Sequence, residues 1–383
     1  MAINNSRRLK GYTKQNMQQN IKICFCIGAI SRTGGTERVC SIIANELAEK
    51  GFDISVLSFW NHGTPHFHLS NKVHVRYLLD PKKEGKLFRT FIYPVHKLRK
   101  EIRRQKYDIL VDVDTVLSRF SGYAIRFTQC KLISWEHFNF WAMSIMGKKK
   151  RYFAKKVIMK HASKLVVLTE EDREKHLQEY RCSSDFVVKI CNPCLSNVKN
   201  TYRFENNTFL FVGRLNYQKN IADLIRAWAL VEKTLPNWKL CIVGAGELDR
   251  DLKKQAEELC LTQVEFVGQA DSVDSYYRSA SCLILSSKFE GFPMVILEAQ
   301  SYGLPVISYD CKTGPRELIE DGVNGYLVEM EDYKALARKM IEFANNKEIA
   351  NKMSEEAKSI ISQYDLETIT SAWCRLINEV MAS

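Results

Sequence analysis

Proline and glycine are scarce, 8 and 18 in 383 residues. That scarcity excludes collagen-like and low-complexity chains, and a hydrophobic share of 45% excludes a disordered one. Long apolar runs are missing too: none approaches the roughly 20 residues that span a bilayer. The first 20 residues hold charge but no apolar stretch, so they read as a tail and not as a signal peptide. A cytoplasmic protein of two or three domains with ample core is expected. Metal-ligand patterns are thin. His62, His66 and His68 lie in a Gly-, Pro- and Asn-rich loop with no clear carboxylate nearby, and Cys24 and Cys26 sit two apart on a strand. The 12 cysteines are scattered, which reads as reduced, buried thiols. Cys191-Asn-Pro-Cys194 has redox spacing, yet no helix pattern follows it, as such a motif requires.

Charge is present but lopsided. Residues 1–200 hold 36 Lys+Arg against 17 Asp+Glu, whereas residues 201–383 hold 20 against 27. This asymmetry predicts two domains, the first facing something anionic. Residues 82–106 hold ten bases, including Arg99, Lys100, Arg103, Arg104 and Lys106. Between Glu136 and Glu170 there is no acid, but there are Lys148, Lys149, Lys150, Arg151, Lys155, Lys156, Lys160 and Lys164. Tyr152, Phe153, Val157, Ile158 and Met159 interleave with them, predicting an amphipathic basic helix over 148–160. Such a helix suits an anionic lipid surface or a pyrophosphate. No nucleic-acid-binding motif accompanies it.

Short β-branched runs alternate with helical periodicity. Strands are expected at 21–30, 53–59, 73–79, 108–113, 131–136 and 164–169, with helices between most of them, for example 36–50 and 95–106. A second set follows at 208–213, 239–244, 264–268, 282–287, 305–309 and 326–329, alternating with helices near 220–233, 247–260, 293–302 and 332–344. Alternation of this kind indicates parallel sheets covered on both faces, here two Rossmann-like domains facing across a cleft. The expected organisation is a tail at 1–20, an N-terminal domain at 21–190, a C-terminal domain at 207–364, and a helix at 365–383 returning to the first domain.

Three strand-exit loops carry chemistry. Gly34 and Gly35 precede a helix and let backbone N–H groups approach a phosphate or sugar oxygen. In FVGRLNYQKN, 211–220, Arg214 offers a fork and Lys219 a point charge, a pairing suited to a diphosphate. In the stretch 286–308, Glu290 is followed by Gly291, Phe292 and Pro293 at a helix start, where the N–H groups of Met294 and Val295 form an anion site. Glu298 lies five residues beyond Pro293, roughly 7–8 Å along the helix, an offset that fits ribose hydroxyls. Gly244-Ala-Gly246 lacks the third glycine of a dinucleotide fingerprint and reads as a turn beside a base or ribose.

On these motifs the chain resembles the family-4 retaining glycosyltransferases of GT-B fold over nearly all of 21–380. The resemblance rests on the Gly-Gly loop, GRL-x-x-QKN at 213–220, the E-x7-E pair Glu290 and Glu298, and NGYLV at 324–328. It implies that Arg214 and Lys219 hold the donor diphosphate, that Glu290 meets the donor sugar and that Glu298 meets the ribose. Backbone around Phe292, Met294 and Val295 would cradle phosphates and sugar, with Gly34, Gly35, Gly244, Val267 and Gly291 also on the donor. The family's active-site histidine matches His137 in SWEHFNF, 134–140, which would touch the sugar near its 6-hydroxyl. The implied catalytic set is His137, Glu290, Arg214 and Lys219, with a UDP-sugar donor and neither metal nor cofactor.

WEHFNF, the NPC after the run from 187, and TGPRELI at 313–319 resemble bacterial capsule, O-antigen and lipid-linked oligosaccharide transferases. That likeness implies a polyprenyl-diphosphate-linked or oligosaccharide acceptor, and peripheral attachment to the inner face of the cell membrane through the basic first domain. Three other readings compete: a metal-dependent GT-A enzyme using Asp112-Val-Asp114, a GT-B nucleotide-sugar epimerase, and a non-catalytic membrane-docked assembly partner.

Overall fold

Strands made of uninterrupted apolar residues have no face to offer water, so each must be buried on both sides. The computed structural model describes residues 21–80, 91–141, 148–194 and 202–383. The expected tail 1–20 and the bases from Lys82 to Arg89 lie outside the described residues. The chain forms two compact units: one takes the described residues up to Val167 with Arg173–Ile190 and Thr370–Ser383, the other Leu168–Asp172 and Cys191–Ile369.

In the first unit run β1 (Lys22–Ile27), α1 (Gly35–Glu49), β2 (Asp53–Trp60), β3 (Val73–Leu79), α2 (Ile92–Gln105), β4 (Ile109–Val113) and α3 (Ser118–Ala124). They are followed by β5 (Lys131–Trp135), α4 (Lys148–His161), β6 (Lys164–Val167), α5 (Glu170–Tyr180) and β7 (Val187–Lys189). The sheet is parallel with order β3-β2-β1-β4-β5-β6-β7, and Phe25 lies between Val56 and Val111. The order reverses between β1 and β4, where parallel sheets open a crevice beyond their carboxyl ends.

The second unit holds β8 (Thr208–Val212), α6 (Ile221–Thr234), β9 (Lys239–Val243), α7 (Asp249–Glu258), β10 (Val264–Gly268), α8 (Asp274–Arg278) and β11 (Cys282–Leu285). After these come α9 (Met294–Ser301), β12 (Val306–Tyr309), α10 (Pro315–Leu318), β13 (Gly325–Val328), α11 (Tyr333–Ala344) and α12 (Lys347–Ile361). Its parallel order is β10-β9-β8-β11-β12-β13, reversing between β8 and β11. Trp228, Trp238 and Phe343 pack around Phe209, whose ring stacks on Trp238 at 4.6 Å. The last helix, α13 (Leu366–Ala382), returns to the first unit as expected. There Trp373 meets Phe25 at 6.3 Å and Trp135 at 4.7 Å, and Lys131 Nζ donates to Val380 O at the helix end. No helix among the described residues is long and apolar enough to cross a membrane.

Several expected strands run one to three residues too far at their carboxyl ends, such as 21–30 against Lys22–Ile27 and 282–287 against Cys282–Leu285. Among the overrun residues Ile30 and Ser286 are buried like strand residues, at 1% and 0% exposure, but their backbone leaves the ladder to build the loops described next.

Candidate functional site

In the second unit, the exits of β8 and β11 are neighbours at the order reversal, so the two loops with the strongest chemistry emerge side by side. Asn216 caps a short turn, its Oδ1 accepting from the Lys219 N–H at 3.1 Å, and Asn220 adopts a left-handed conformation before α6. The turn is sewn to the second loop: Lys288 N–H donates to Gln218 O, Gln218 Nε2 to Phe289 O, and Ser286 Oγ to Lys219 O. The result is a direct contact of Lys219 Nζ with Glu290 Oε1 at 2.6 Å, both side chains largely buried. Arg214, on the same loop, is exposed.

Glu290 is supported from beneath by a segment that the spacing argument did not single out. Thr313 Oγ1 donates to Glu290 O at 2.6 Å. Gly314 has φ +83, and a Cβ there would lie 2.6 Å from Pro293 Cδ and 3.3 Å from Glu290 Cβ, so the approach requires glycine. A cavity of about 480 Å³ opens beside Gly314, bounded by Thr169, Glu171, Asp310, Cys311, Lys312, Arg316 and Glu317. The Glu170 N–H donates to Glu317 Oε2 at 3.0 Å and the Thr313 N–H to Glu171 Oε2 at 3.1 Å, closing one wall.

Pro293 is the residue before α9 and not within its first turn, with ψ 96, so the helix proper begins at Met294. Met294 and Val295 are half-buried at that start, Gly291 is half-buried, and Phe292 is buried against Tyr364 at 5.9 Å. Glu298 Oε2 accepts from Tyr277 Oη at 2.8 Å, and the Tyr277 ring stacks on Tyr302 at 5.3 Å. Gly244 has a simpler cause than a nucleotide: a Cβ there would sit 1.9 Å from Gly213 O, so the glycine admits the Arg214 loop. Val267 is half-buried on the edge strand β10.

In the first unit, Gly34 is the residue before α1 and Gly35 its first residue. The Glu37 carboxylate folds back so close that a Cβ on Gly34 would meet its Oε2 at 2.4 Å, and burial holds that carboxyl above its ordinary range. The helix start is therefore already fronted by an acid of its own.

His137 follows β5. Its ring lies 4.2 Å from Trp135, it is 9% exposed, and its Nε2 has no hydrogen-bond partner among the described residues. Burial drives its pKa down to about 3, opposed by Glu136, so the imidazole is neutral in the physiological range. Glu136 beside it is buried. Its Oε2 accepts from Thr115 Oγ1 at 2.6 Å and its Oε1 from the Phe138 N–H at 3.1 Å. Burial alone would raise this carboxyl, but Arg151 and Lys155 hold it below the usual range.

Arg151 and Lys155 correct the sequence reading of 148–160. They were expected on a solvent-facing basic surface, yet they are 7% and 2% exposed. Arg151 pairs with Asp114 at 3.1 Å and Glu136 at 3.4 Å, while Lys155 Nζ lies 3.0 Å from His176 Nε2. Among the helix side chains described, the exposed bases are Lys149, Lys150, Lys156 and Lys160, joined by Tyr152 and Phe153. Asp112-Val-Asp114 is likewise occupied. Asp112 accepts from Ser118 Oγ at 2.7 Å and Ser121 Oγ at 2.6 Å, and Asp114 is taken by Arg151. Among the described residues no cluster of three His, Cys, Asp or Glu is placed to hold a metal ion. Cys191 and Cys194 are separate buried thiols.

Known proteins share the family and the fold of this chain. The family model described as Glycosyl transferases group 1 matches residues 197–360, and that described as Glycosyltransferase Family 4 matches residues 33–194. An uncharacterized glycosyltransferase of Haemophilus influenzae is 32% identical over 92% of this chain and 98% of its own. A Campylobacter jejuni α-1,4-N-acetyl-D-galactosaminyltransferase, named for a PP-undecaprenol-linked acceptor, is 29% identical over 94% of this chain and 99% of its own. Among solved structures, HepE of Anabaena in complex with UDP superposes with a TM-score of 0.76 over 94% of this chain and all of that one, at 18% identity.

Proposed function

The chain belongs to the family 4 glycosyltransferases of GT-B fold, and on that premise we propose that it moves a hexose or N-acetylhexosamine from a UDP-sugar to a polyprenyl-diphosphate-linked glycan. The setting in this reading is bacterial surface polysaccharide synthesis at the cytoplasmic face of the membrane. The observation that carries this reading is the 2.6 Å contact of Lys219 with Glu290, which unites a cation for a diphosphate and a carboxylate for a sugar. The named acceptor of the Campylobacter relative supports the lipid-linked substrate. The outer face of α4, with four exposed lysines and exposed Tyr152 and Phe153, supports attachment to an anionic lipid surface.

In the proposed reaction the bond between the anomeric carbon and phosphate oxygen breaks, and its electron pair leaves with UDP. The acceptor oxygen bonds to the anomeric carbon on the same face, which retains configuration. Its proton passes to the departing phosphate oxygen, so no side chain has to serve as base. Arg214, Lys219 and the N–H groups of Met294 and Val295 meet the charge growing on the diphosphate. Donors fixed beforehand stabilise that charge without reorienting, which is where electrostatic catalysis gains most. Glu290 accepts from sugar hydroxyls, Glu298 from the ribose, and the neutral His137 hydrogen-bonds near the 6-hydroxyl. The charge is thus met without a metal.

Calorimetric titration with UDP and GDP tests the donor assignment. UDP should bind preferentially, and Glu298→Ala should weaken it about tenfold or more, as loss of a charged hydrogen-bond partner does. Preference for GDP overturns the donor assignment. Activity abolished by EDTA overturns the metal-free route, and an inverted anomeric centre in the product, read by NMR, overturns retention.

A further inference from the structure

The buried face of α4 contains two cations that the proposed reaction does not use. Arg151 and Lys155 are one helical turn apart and point the same way. The Arg151 guanidinium carbon stands 4.5 Å from the centre of the Phe138 ring while its nitrogens reach Glu136 and Asp114. Lys155 Nζ stands 4.3 Å from the centre of the Phe140 ring. The gripped residues are 136, 138 and 140, every second position of one loop. His137 lies between the first two and turns instead to Trp135. Both its neighbours are held twice: Glu136 by Arg151 and Thr115, and Phe138 by Arg151 and through its N–H by Glu136. On the other side of the guanidinium, Asp114 has φ 87 and ψ 116, an uncommon backbone for a residue other than glycine. That conformation persists only where its surroundings over-determine it.

We infer that Arg151 and Lys155 are positioning residues, a two-cation clasp that fixes the 136–140 loop and thereby the orientation in which His137 meets the donor sugar. The inference rests on the reading of His137 given above. Buried cations are costly unless several groups compensate them, and here the His137 loop, the β4 exit and α5 each contribute such groups. An apolar pair would fill the same space but would leave the loop without directional contacts. Cation–π contacts and a forked ion pair supply that direction.

The test uses the full chain and follows UDP release from UDP-glucose, UDP-galactose and their N-acetyl counterparts. Arg151→Lys keeps the charge and loses the fork; Lys155→Met and Phe138→Leu loosen the other grips. Each should lower kcat by roughly 10- to 100-fold, the scale of a small misplacement, with donor KM within about twofold. Combined with His137→Ala, each should add no further loss, because residues acting as a unit are non-additive. Near-UV circular dichroism of the buried Trp135 and Trp373 serves as the control for folding of the first unit, and UDP affinity by calorimetry should not change. Labelled-histidine NMR gives a second signature: the His137 ring, neutral between pH 5 and 8 in the parent, should titrate near its ordinary value of about 6.5 in the loosened variants. Losses that multiply with His137→Ala, or full kcat in all three variants, overturn the clasp alone. Full activity of His137→Ala overturns the reading of His137 and the clasp with it.

Discussion

Lys219 and Glu290 offset each other's charge in a largely buried place, so removing one strips the other of its ion pair. Lys219→Met is expected to cost about 3–5 kcal/mol of stability, and Lys219→Met with Glu290→Gln to recover most of it. Neither variant should release UDP from a donor, because recovery of stability restores no cation for the diphosphate. Denaturant unfolding together with an activity assay separates the two effects. Tyr277→Phe is a milder change. It removes the 2.8 Å hydrogen bond to Glu298 and should weaken UDP binding by roughly 3- to 10-fold, at about 1 kcal/mol of stability, as calorimetry and unfolding would read. Asp112 gives a pH signature. Burial lifts its carboxyl to about 7 against two serine donors that pull it down. A carboxyl raised in the folded state contributes stability below its unfolded value and loses it as pH rises through the folded one. Stability should therefore fall between about pH 4 and 7 on this group's account, by on the order of 4 kcal/mol. Asp112→Asn should flatten that slope when unfolding is followed at pH 5 and pH 8.

Helix α4 shows why an element's composition does not tell which of its faces is wet. Counted along the chain, its bases look alike, and only the burial of Arg151 and Lys155 sorts them from Lys149, Lys150, Lys156 and Lys160. Reversing the exposed four to Glu should abolish sedimentation with anionic vesicles while leaving UDP binding intact; unchanged sedimentation would remove the proposed membrane role from this face. Most strands and the long helices were legible because their periodicity is carried by Val, Ile, Leu and Phe. Helix α12 was not, since its buried face is Ala350, Met353, Ser354 and Ala357, with small residues where the helical period falls. Helix α5 was hidden for another reason: its buried residues include Asp172 and His176, which no apolar pattern registers. At the site, Arg214, Lys219 and Glu290 stood out as charges at strand exits, and Glu298 by its seven-residue gap from Glu290 along the following helix. TGPRELI at 313–319 was visible as a motif, but the support that Thr313 and Gly314 give Glu290, and Tyr277 gives Glu298, was not, since it spans gaps that sequence spacing does not encode.

At the scale of the molecule, two sheets with separate hydrophobic clusters predict two unfolding events. Scanning calorimetry should resolve two transitions, and UDP at about 100 times its Kd should stabilise only the one belonging to the second unit, by about 2.7 kcal/mol. A single transition shifted as a whole by UDP would show the units to be thermodynamically one. The opposite charge balance of the two halves adds that rising salt should relax self-repulsion in the first unit more than in the second.

The return of α13 to the first unit also sets an order of events during synthesis. Trp373 covers Phe25 and Trp135, yet it leaves the ribosome long after both. At about 5–20 residues per second, the stretch from Ile190 to Trp373 takes roughly 10–40 s to translate. Over that interval the nascent first unit keeps an uncovered aromatic patch while the second unit is completed ahead of it. The half that is made first is thus the half whose core is closed last.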